Sequence, residues 1–183
     1  MNRPPSPLPP LRVSRWFNTE VPITLDSLHG RVVVVHAFQM LCPGCVAHGL
    51  PQLAKLRQAF AEDQVAVIGL HTVFEHHAVM GAEALQAFIH EYRLPFPIAI
   101  DEPDPNSAVP KTMAAWGLQG TPSLMVLDRQ GRLQFEHFGG LDDMSLGAIV
   151  GQLLAHPHPR GSYEKEHRGD PESCPDGRCG PSR

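Results

Sequence analysis

Two short runs, "VVVVHAF" at 32–38 and "QVAVIGL" at 64–70, are almost entirely apolar and show no alternation of polar and apolar side chains. Continuous runs of this kind are typical of strands that are buried on both faces of a sheet. The segment between them has apolar residues at helical spacing, namely Leu50, Leu53, Leu56 and Phe60. A strand, a helix and a second strand in this order predict two parallel strands joined by a right-handed crossover. The chain is therefore predicted to have an α/β fold.

The same alternation continues further along the chain. Residues 82–94 have a helical pattern, and residues 96–100 have the composition of a strand. A short helix is predicted over 111–116, with Gly117 as its C-cap. The tripeptide "RQG" between two β-rich runs then predicts a hairpin, and the amphipathic segment "DMSLGAIVGQLLA" predicts a last helix. We therefore expect a mixed central sheet with helices on both faces.

The two ends of the chain lack this pattern. Residues 1–19 carry five prolines within the first ten positions, which predicts a proline-rich arm without regular structure. Residues 156–183 are rich in proline, glycine and charged residues, with too few aliphatic side chains to offset the entropy of ordering. We interpret them as a flexible tail. A single domain is predicted over residues 20–155, in a chain of 183 residues of which 42% are hydrophobic.

Cys42, Pro43, Gly44 and Cys45 form a CxxC motif directly after the first apolar run, where the predicted helix begins. The free N–H groups and the dipole of a helix start favour an anion, and proline suits the first helical position. The thiolate of Cys42 should therefore be favoured, which makes this residue the nucleophile. Cys45 follows one turn later on the same helix face, further from solvent. We expect it to resolve the mixed disulfide.

Several segments together resemble a known group of proteins. The strand followed by CxxC, Pro51 within the helix, and "GTPSLMVLD" at 120–128 resemble thioredoxin-like proteins of the TlpA/ResA type and their AhpC/TSA-related relatives. The segment "VIGLHTVFEHH" is similar to the strand and loop of DipZ-type domains, in which a histidine and a following acid are usual. His71 and Glu75 match that pattern. The resemblance covers about residues 20–155.

This resemblance implies a thioredoxin-like fold and thiol-disulfide exchange. It also implies that Thr121 and Pro122 form a cis-proline loop that faces the CxxC motif. The backbone of Thr121 would then be free to pair with an extended substrate segment. The expected partners are protein or small-molecule disulfide or thiol substrates and a thiol electron donor, and no cofactor is expected.

Three positions depart from the pattern of the family. Leu41 stands before the first cysteine, where tryptophan is common, so the rim of the site is less aromatic. His36 stands six residues before that cysteine, where thioredoxins usually have an acid, and an imidazole could take the proton of Cys45. The dipeptide between the cysteines is Pro-Gly rather than Gly-Pro. Since this dipeptide affects the redox potential, the sequence leaves the reducing or oxidising direction open.

Two other functions compete with disulfide exchange. The first is a peroxiredoxin-like thiol peroxidase, because AhpC/TSA relatives share the fold. Those peroxidases have Thr or Ser three residues before the reactive cysteine, whereas this chain has Gln39. The second is a non-catalytic metal-binding or chaperone-like module that uses the thiols and the tail. The CxxC motif could itself be a zinc knuckle, since Cys42, Cys45 and His48 have a CxxCxxH spacing. A closed zinc site needs a fourth ligand, and the strand-to-helix position favours redox chemistry, so no metal site is predicted.

Charge and hydropathy narrow the partners and the location. The net charge is −4 and no block of Lys or Arg is present, so neither nucleic acid nor an anionic membrane is an expected partner. No stretch approaches the ~18 apolar residues of a membrane helix. The first twenty residues lack the apolar core of a secretory signal. These features predict a cytoplasmic protein.

Cys174 and Cys179 lie in the predicted tail, on either side of the turn sequence "PDGR". One hypothesis is that they form a second redox pair that exchanges electrons with Cys42 and Cys45. The alternative is that they are incidental or bind adventitious metal. The sequence leaves both open.

Overall fold

The computed structural model describes residues 7–155 of the chain. Its strands are β1 (Val13–Phe17), β2 (Val32–Phe38), β3 (Val65–His71), β4 (Ile98–Asp101), β5 (Ser123–Leu127) and β6 (Leu133–Phe138). Its α-helices are α1 (Leu50–Ala59), α2 (Ala82–Glu91), α3 (Lys111–Trp116) and α4 (Asp143–Ala155). Short 3-10 helices cover Asp26–Leu28 and His77–Val79. Within this part of the chain, no helix combines the length and the apolar character needed to cross a lipid bilayer.

The six strands form one mixed sheet in the order β1-β4-β3-β2-β5-β6. Strands β2, β3 and β4 are parallel neighbours. At one side of the sheet β1 pairs antiparallel with β4. At the other side β5 pairs antiparallel with β2, and β6 pairs antiparallel with β5. The predicted β2-α1-β3 unit is therefore confirmed. Because parallel strands end at the same edge of a sheet, the CxxC motif that follows β2 lies at the edge where β3 and β4 also end.

Helices cover both faces of the sheet, as predicted. The alternating side chains of β2 divide between two apolar clusters: Val32, Val34 and Phe38 face one side, and Val33, Val35 and Ala37 face the other. The first cluster includes buried residues of α1, α2 and α4, and the second includes buried residues of α3. Both faces of β2 are thus sealed, which explains why its sequence shows no polar alternation.

The predicted boundary of the domain at residue 20 is wrong. Strand β1 belongs to the sheet, and Leu8, further towards the N-terminus, is only 9% exposed in the second cluster. The indole N–H of Trp116 donates to the carbonyl of Pro9 at 2.8 Å, and Pro7 forms a bridge with Arg132. The prolines do prevent helix formation, but extended chain at a sheet edge tolerates them. The segment from residue 7 onward is therefore part of the folded unit.

Two predictions lie outside the described residues. They concern the first six residues of the predicted arm, and the predicted tail 156–183 with Cys174 and Cys179.

Candidate active site

The helix that carries the cysteines begins at Pro43, directly after Cys42. Its second part is widened, since Cys45–Gly49 form a π-helical turn in which the N–H of Leu50 donates to the carbonyl of Cys45. Pro51 gives a physical reason for this widening: it has no N–H, and its ring would clash with the carbonyl four residues earlier in a regular α-helix. Single π-helical turns inside α-helices are frequent at functional sites.

Cys42 and Cys45 are both free thiols, and they differ in exposure. Cys42 is partly buried, whereas Cys45 is fully buried at 0% exposure. The N–H of Cys45 donates to the sulfur of Cys42 at 3.3 Å, and the Cys42 thiol donates to the carbonyl of Thr121 at 3.6 Å. Cys42 is therefore the sulfur that an external molecule can reach.

The thiol of Cys45 resists ionisation. Burial raises the pKa of Cys45 to about 12, and its hydrogen bond with the Cys42 thiol adds to the increase, although the backbone N–H of Gln39 opposes it. In the reduced protein Cys45 thus holds its proton at neutral pH. A group that accepts this proton is required before Cys45 can act as a nucleophile.

The loop before β5 faces the cysteines. The peptide bond between Thr121 and Pro122 is cis, as the sequence resemblance implied. The Pro122 ring packs on Gly44, where an added Cβ would lie 3.5 Å from the Pro122 Cδ. Together with the contact between Cys42 and the Thr121 carbonyl, this packing places the loop directly against the CxxC motif.

His36 lies beneath the active-site helix and is 3% exposed. Its ring packs on Gly49, so closely that an added Cβ there would be 2.1 Å from the His36 Nε2. Among the described residues, neither ring nitrogen has a hydrogen-bond partner. Burial lowers the pKa of His36 to about 4, so the imidazole is neutral at neutral pH and is a weak base. The role of His36 in catalysis, which the sequence suggested, stays a prediction.

Gln39 links the segment that leads into the CxxC motif with the loop that follows β3. Its side-chain N–H donates to the Glu75 carboxylate at 3.3 Å, its side-chain oxygen accepts the N–H of Phe74 at 3.3 Å, and its carbonyl accepts the N–H of Cys42 at 3.2 Å. The sequence indicated Gln39 only as a departure from the peroxidase pattern. The signal available in the sequence was a polar residue directly after the apolar run 32–38 and three positions before the first cysteine. The structure gives this residue a positioning role.

His71, the other residue of the DipZ-type pattern, donates no side-chain hydrogen bond to this link. Its ring is fully buried beside the ring of Phe38, with the two ring centroids 5.2 Å apart. Both of its nitrogens lack hydrogen-bond partners within residues 7–155.

A comparison of the sequence with family models shows the family of this chain. The AhpC/TSA family model matches residues 9–136, which is more than half of the chain. The chain belongs to the AhpC/TSA family. The predicted resemblance to thioredoxin-like proteins of the TlpA/ResA type, with AhpC/TSA and DipZ-type relatives, is confirmed.

Known structures and relatives agree with this AhpC/TSA assignment. A crystal structure of a thioredoxin-like superfamily protein is 50% identical, with a TM-score of 0.81 over 84% of this chain and 99% of that chain. A thiol-disulfide isomerase from Corynebacterium glutamicum is 49% identical, with a TM-score of 0.79 over 82% of this chain and 97% of that chain. Protein DipZ of Mycobacterium tuberculosis is 29% identical over 150 residues, which are 80% of this chain and 20% of DipZ. The chain spans a fifth or less of the length of DipZ and of the other long relatives it matches.

The side chains that suggested a metal site do not assemble one. His48 is exposed on the active-site helix. In the region from residue 7 to residue 155, no group of three or more His, Cys, Asp or Glu side chains lies close enough to hold a metal ion.

We predict that this AhpC/TSA protein loses stability in acid because of its two buried histidines. Burial lowers the pKa of both His36 and His71 from 6.5 to about 4. The unfolded chain, in which a histidine titrates near ~6.5, therefore binds more protons as the pH falls from 6.5 towards 4. Above pH 6.5 these histidines do not change the free energy of unfolding. By pH 4, protonation of each histidine in the unfolded chain should lower that free energy by about 3 kcal/mol. Urea unfolding between pH 7.5 and pH 4.5 measures this loss.

Matched variants identify the source of this pH dependence. The slope in question is that of the free energy of unfolding against pH. Replacing His71 by Leu should remove the part of this slope that one histidine contributes. Replacing the exposed His90 by Leu should leave the slope unchanged. A slope that is the same in the wild type and in the His71→Leu variant would contradict the prediction.

Proposed function

We propose that the chain is a thiol-disulfide oxidoreductase that uses Cys42 as nucleophile and Cys45 as resolving thiol. The observation that carries this proposal is the pairing of one accessible sulfur with one buried sulfur at a helix start, next to a cis-proline loop. The similarity to the thiol-disulfide isomerase of Corynebacterium glutamicum supports it.

The exchange proceeds in two steps. The Cys42 thiolate attacks one sulfur of the substrate disulfide, the substrate S–S bond breaks, and the other substrate sulfur leaves as a thiolate that takes up a proton. Cys45 then loses its proton and attacks the Cys42 sulfur, which releases the second substrate thiolate and closes the disulfide between Cys42 and Cys45. Two electrons pass from the protein dithiol to the substrate. A thiol electron donor restores the dithiol by the reverse steps.

His36 is our candidate for the group that accepts the Cys45 proton. Its imidazole is neutral at neutral pH, and both of its nitrogens are without partners in the described part of the chain. It packs on Gly49, which lies one turn further along the helix than Cys45. Because its lowered pKa makes His36 a weak base, we propose that it takes the proton only as Cys45 attacks, when the S–S bond forms and the thiol proton becomes more acidic.

Thr121 and Pro122 are our candidates for the substrate contact. The Thr121 carbonyl lies 3.6 Å from the Cys42 sulfur, so a segment paired with this backbone would bring its own cysteine to Cys42. We propose protein disulfides or thiols as substrates. Location in the cytoplasm stays a prediction from the sequence.

Reduction of insulin driven by dithiothreitol tests the proposal, with peroxide consumption measured under the same conditions. We expect rapid insulin reduction and no accelerated peroxide consumption, because Gln39 offers no hydroxyl in the position typical of peroxidases. Peroxide consumption without insulin reduction would favour the thiol peroxidase. Stoichiometric zinc in the purified protein without either activity would favour the metal-binding module.

A further inference from the structure

Three segments meet at the CxxC motif and its cis-proline loop, and none of them carries a charged side chain. They are "MLCPG" at 40–44, "QGTP" at 119–122 and "FGGL" at 138–141. The first holds the cysteine, the second contains the cis-proline loop, and the third is tied to the second because the N–H of Gly139 donates to the carbonyl of Pro122 at 2.8 Å. We call these three segments the mouth of the site. An entering molecule meets neutral surface on every one of them.

Two residues of this mouth have exposed apolar side chains. Leu41 is 57% exposed directly before Cys42, and Phe138 is 55% exposed at the end of β6. The Phe138 ring lies against Gly120, where an added Cβ would be 3.0 Å from the ring Cε2. Phe138 is therefore held beside the residue that precedes Thr121. A substrate paired with the Thr121 backbone has Leu41 on the CxxC side and Phe138 on the β6 side.

Two carboxylates stand next to the mouth, and the exposed imidazole of His48 lines the cleft beside Gly44 and Pro122. Glu75 is held by the side chain of Gln39, just before the first segment, and Asp142 directly follows the third. The nearby imidazole of His137 is engaged with the carbonyl of Gly140 at 3.0 Å. Lys55, on the active-site helix, is paired with Asp143. No mouth residue offers a cation to a carboxylate.

We infer that the site selects protein disulfides in which an uncharged apolar side chain stands next to the cysteine, and disfavours small anionic disulfides such as oxidised glutathione. This inference rests on the proposed function and names its substrate class. Apolar side chains gain free energy by covering Leu41 and Phe138. Carboxylates at the same place lose hydration, find no lysine or arginine among the mouth residues, and meet the field of Glu75 and Asp142.

Oxidation of the reduced protein by defined disulfides tests this selectivity. The substrates are two peptide disulfides that differ only in Leu or Asp next to the cysteine, oxidised glutathione, and hydroxyethyl disulfide as a small neutral reference. Each rate is divided by the reference rate of the same protein, and the reaction is followed by acid quenching and separation of the oxidised and reduced forms. We expect the Leu peptide to react about tenfold faster than the Asp peptide and than oxidised glutathione.

Charged variants test how far the apolar side chains of the mouth determine the preference for the Leu peptide. Phe138→Lys should lower the relative rate of the Leu peptide and raise that of oxidised glutathione, each about fivefold or more. Tyr92, which is 54% exposed at the far end of α2, offers a matched control, and Tyr92→Lys should leave all relative rates unchanged.

The possible results separate the inference from the function on which it rests. Equal relative rates for the Leu peptide, the Asp peptide and oxidised glutathione would overturn the selectivity and leave the oxidoreductase intact. Failure to react with every disulfide, including the neutral reference, would overturn the proposed function itself. A similar change in both the Phe138→Lys and the Tyr92→Lys variants would show that overall charge, and not the mouth, sets the preference.

Discussion

Replacing Cys42 by Ser will reduce insulin reduction to the rate of the reaction without protein. Cys42 is the sulfur that a substrate can reach, whereas Cys45 is buried and its pKa of about 12 keeps it protonated. A hydroxyl in place of the Cys42 thiol cannot form the mixed disulfide, and the buried thiol cannot replace it as nucleophile. The measurement is the initial rate of insulin reduction by dithiothreitol, compared with the wild type at equal concentration.

Replacing Cys45 by Ser will give a different result. Attack by Cys42 is still possible, but the resolving thiol of the CxxC motif is gone, so a mixed disulfide at Cys42 should accumulate and be located by peptide mass spectrometry without reducing agent. The Cys42→Ser variant is the matched control and should show no adduct at Cys45. An adduct at Cys45 in the Cys42→Ser variant, or none at Cys42 in the Cys45→Ser variant, would reverse or remove the assigned roles.

The sequence predicted the parts of the fold that depend on continuous local patterns. β2 and β3 were recognisable because both of their faces are buried, which leaves two wholly apolar runs with a helical segment between them. The CxxC motif was informative because of its place after β2, where a helix start favours redox chemistry. The cis bond before Pro122 followed from the family resemblance, since an isolated X-Pro pair carries little information on its isomer.

The features that the sequence did not predict depend on contacts between distant segments. Strand β1 is stabilised by pairing with β4, more than eighty residues later, and its short sequence VSRWF, which follows a proline-rich segment, gave no strand signal. The role of Gln39 depends on Phe74 and Glu75, which only the folded chain brings near. His36 could be identified as a candidate by its position, but its lack of partners and its contact with Gly49 required the structure.

The contact between Gly49 and His36 leads to the second large prediction, that Gly49→Ala will destabilise the protein. The new methyl group would lie 2.1 Å from the His36 Nε2 and 2.4 Å from its Cε1, far inside any allowed contact. The His36 ring is buried beneath the helix, so either the ring or the active-site helix must shift. Overpacking of this kind costs about 1–3 kcal/mol, more than alanine gains over glycine in a helix. The midpoint and slope of urea unfolding give the change in the free energy of unfolding.

Gly151→Ala is the matched control, because Gly151 lies in α4 and has no atom within 4 Å of the position of an added Cβ. The same change there should be neutral or stabilise by up to about 1 kcal/mol, since alanine is the better helix former. Combining Gly49→Ala with His36→Ala removes the ring that the methyl group strikes. The double variant should therefore be less destabilised than the sum of the two single variants. Additive losses, or a Gly49→Ala variant as stable as Gly151→Ala, would show that the helix does not rest on His36, and would also remove the geometric support for His36 as the base that serves Cys45.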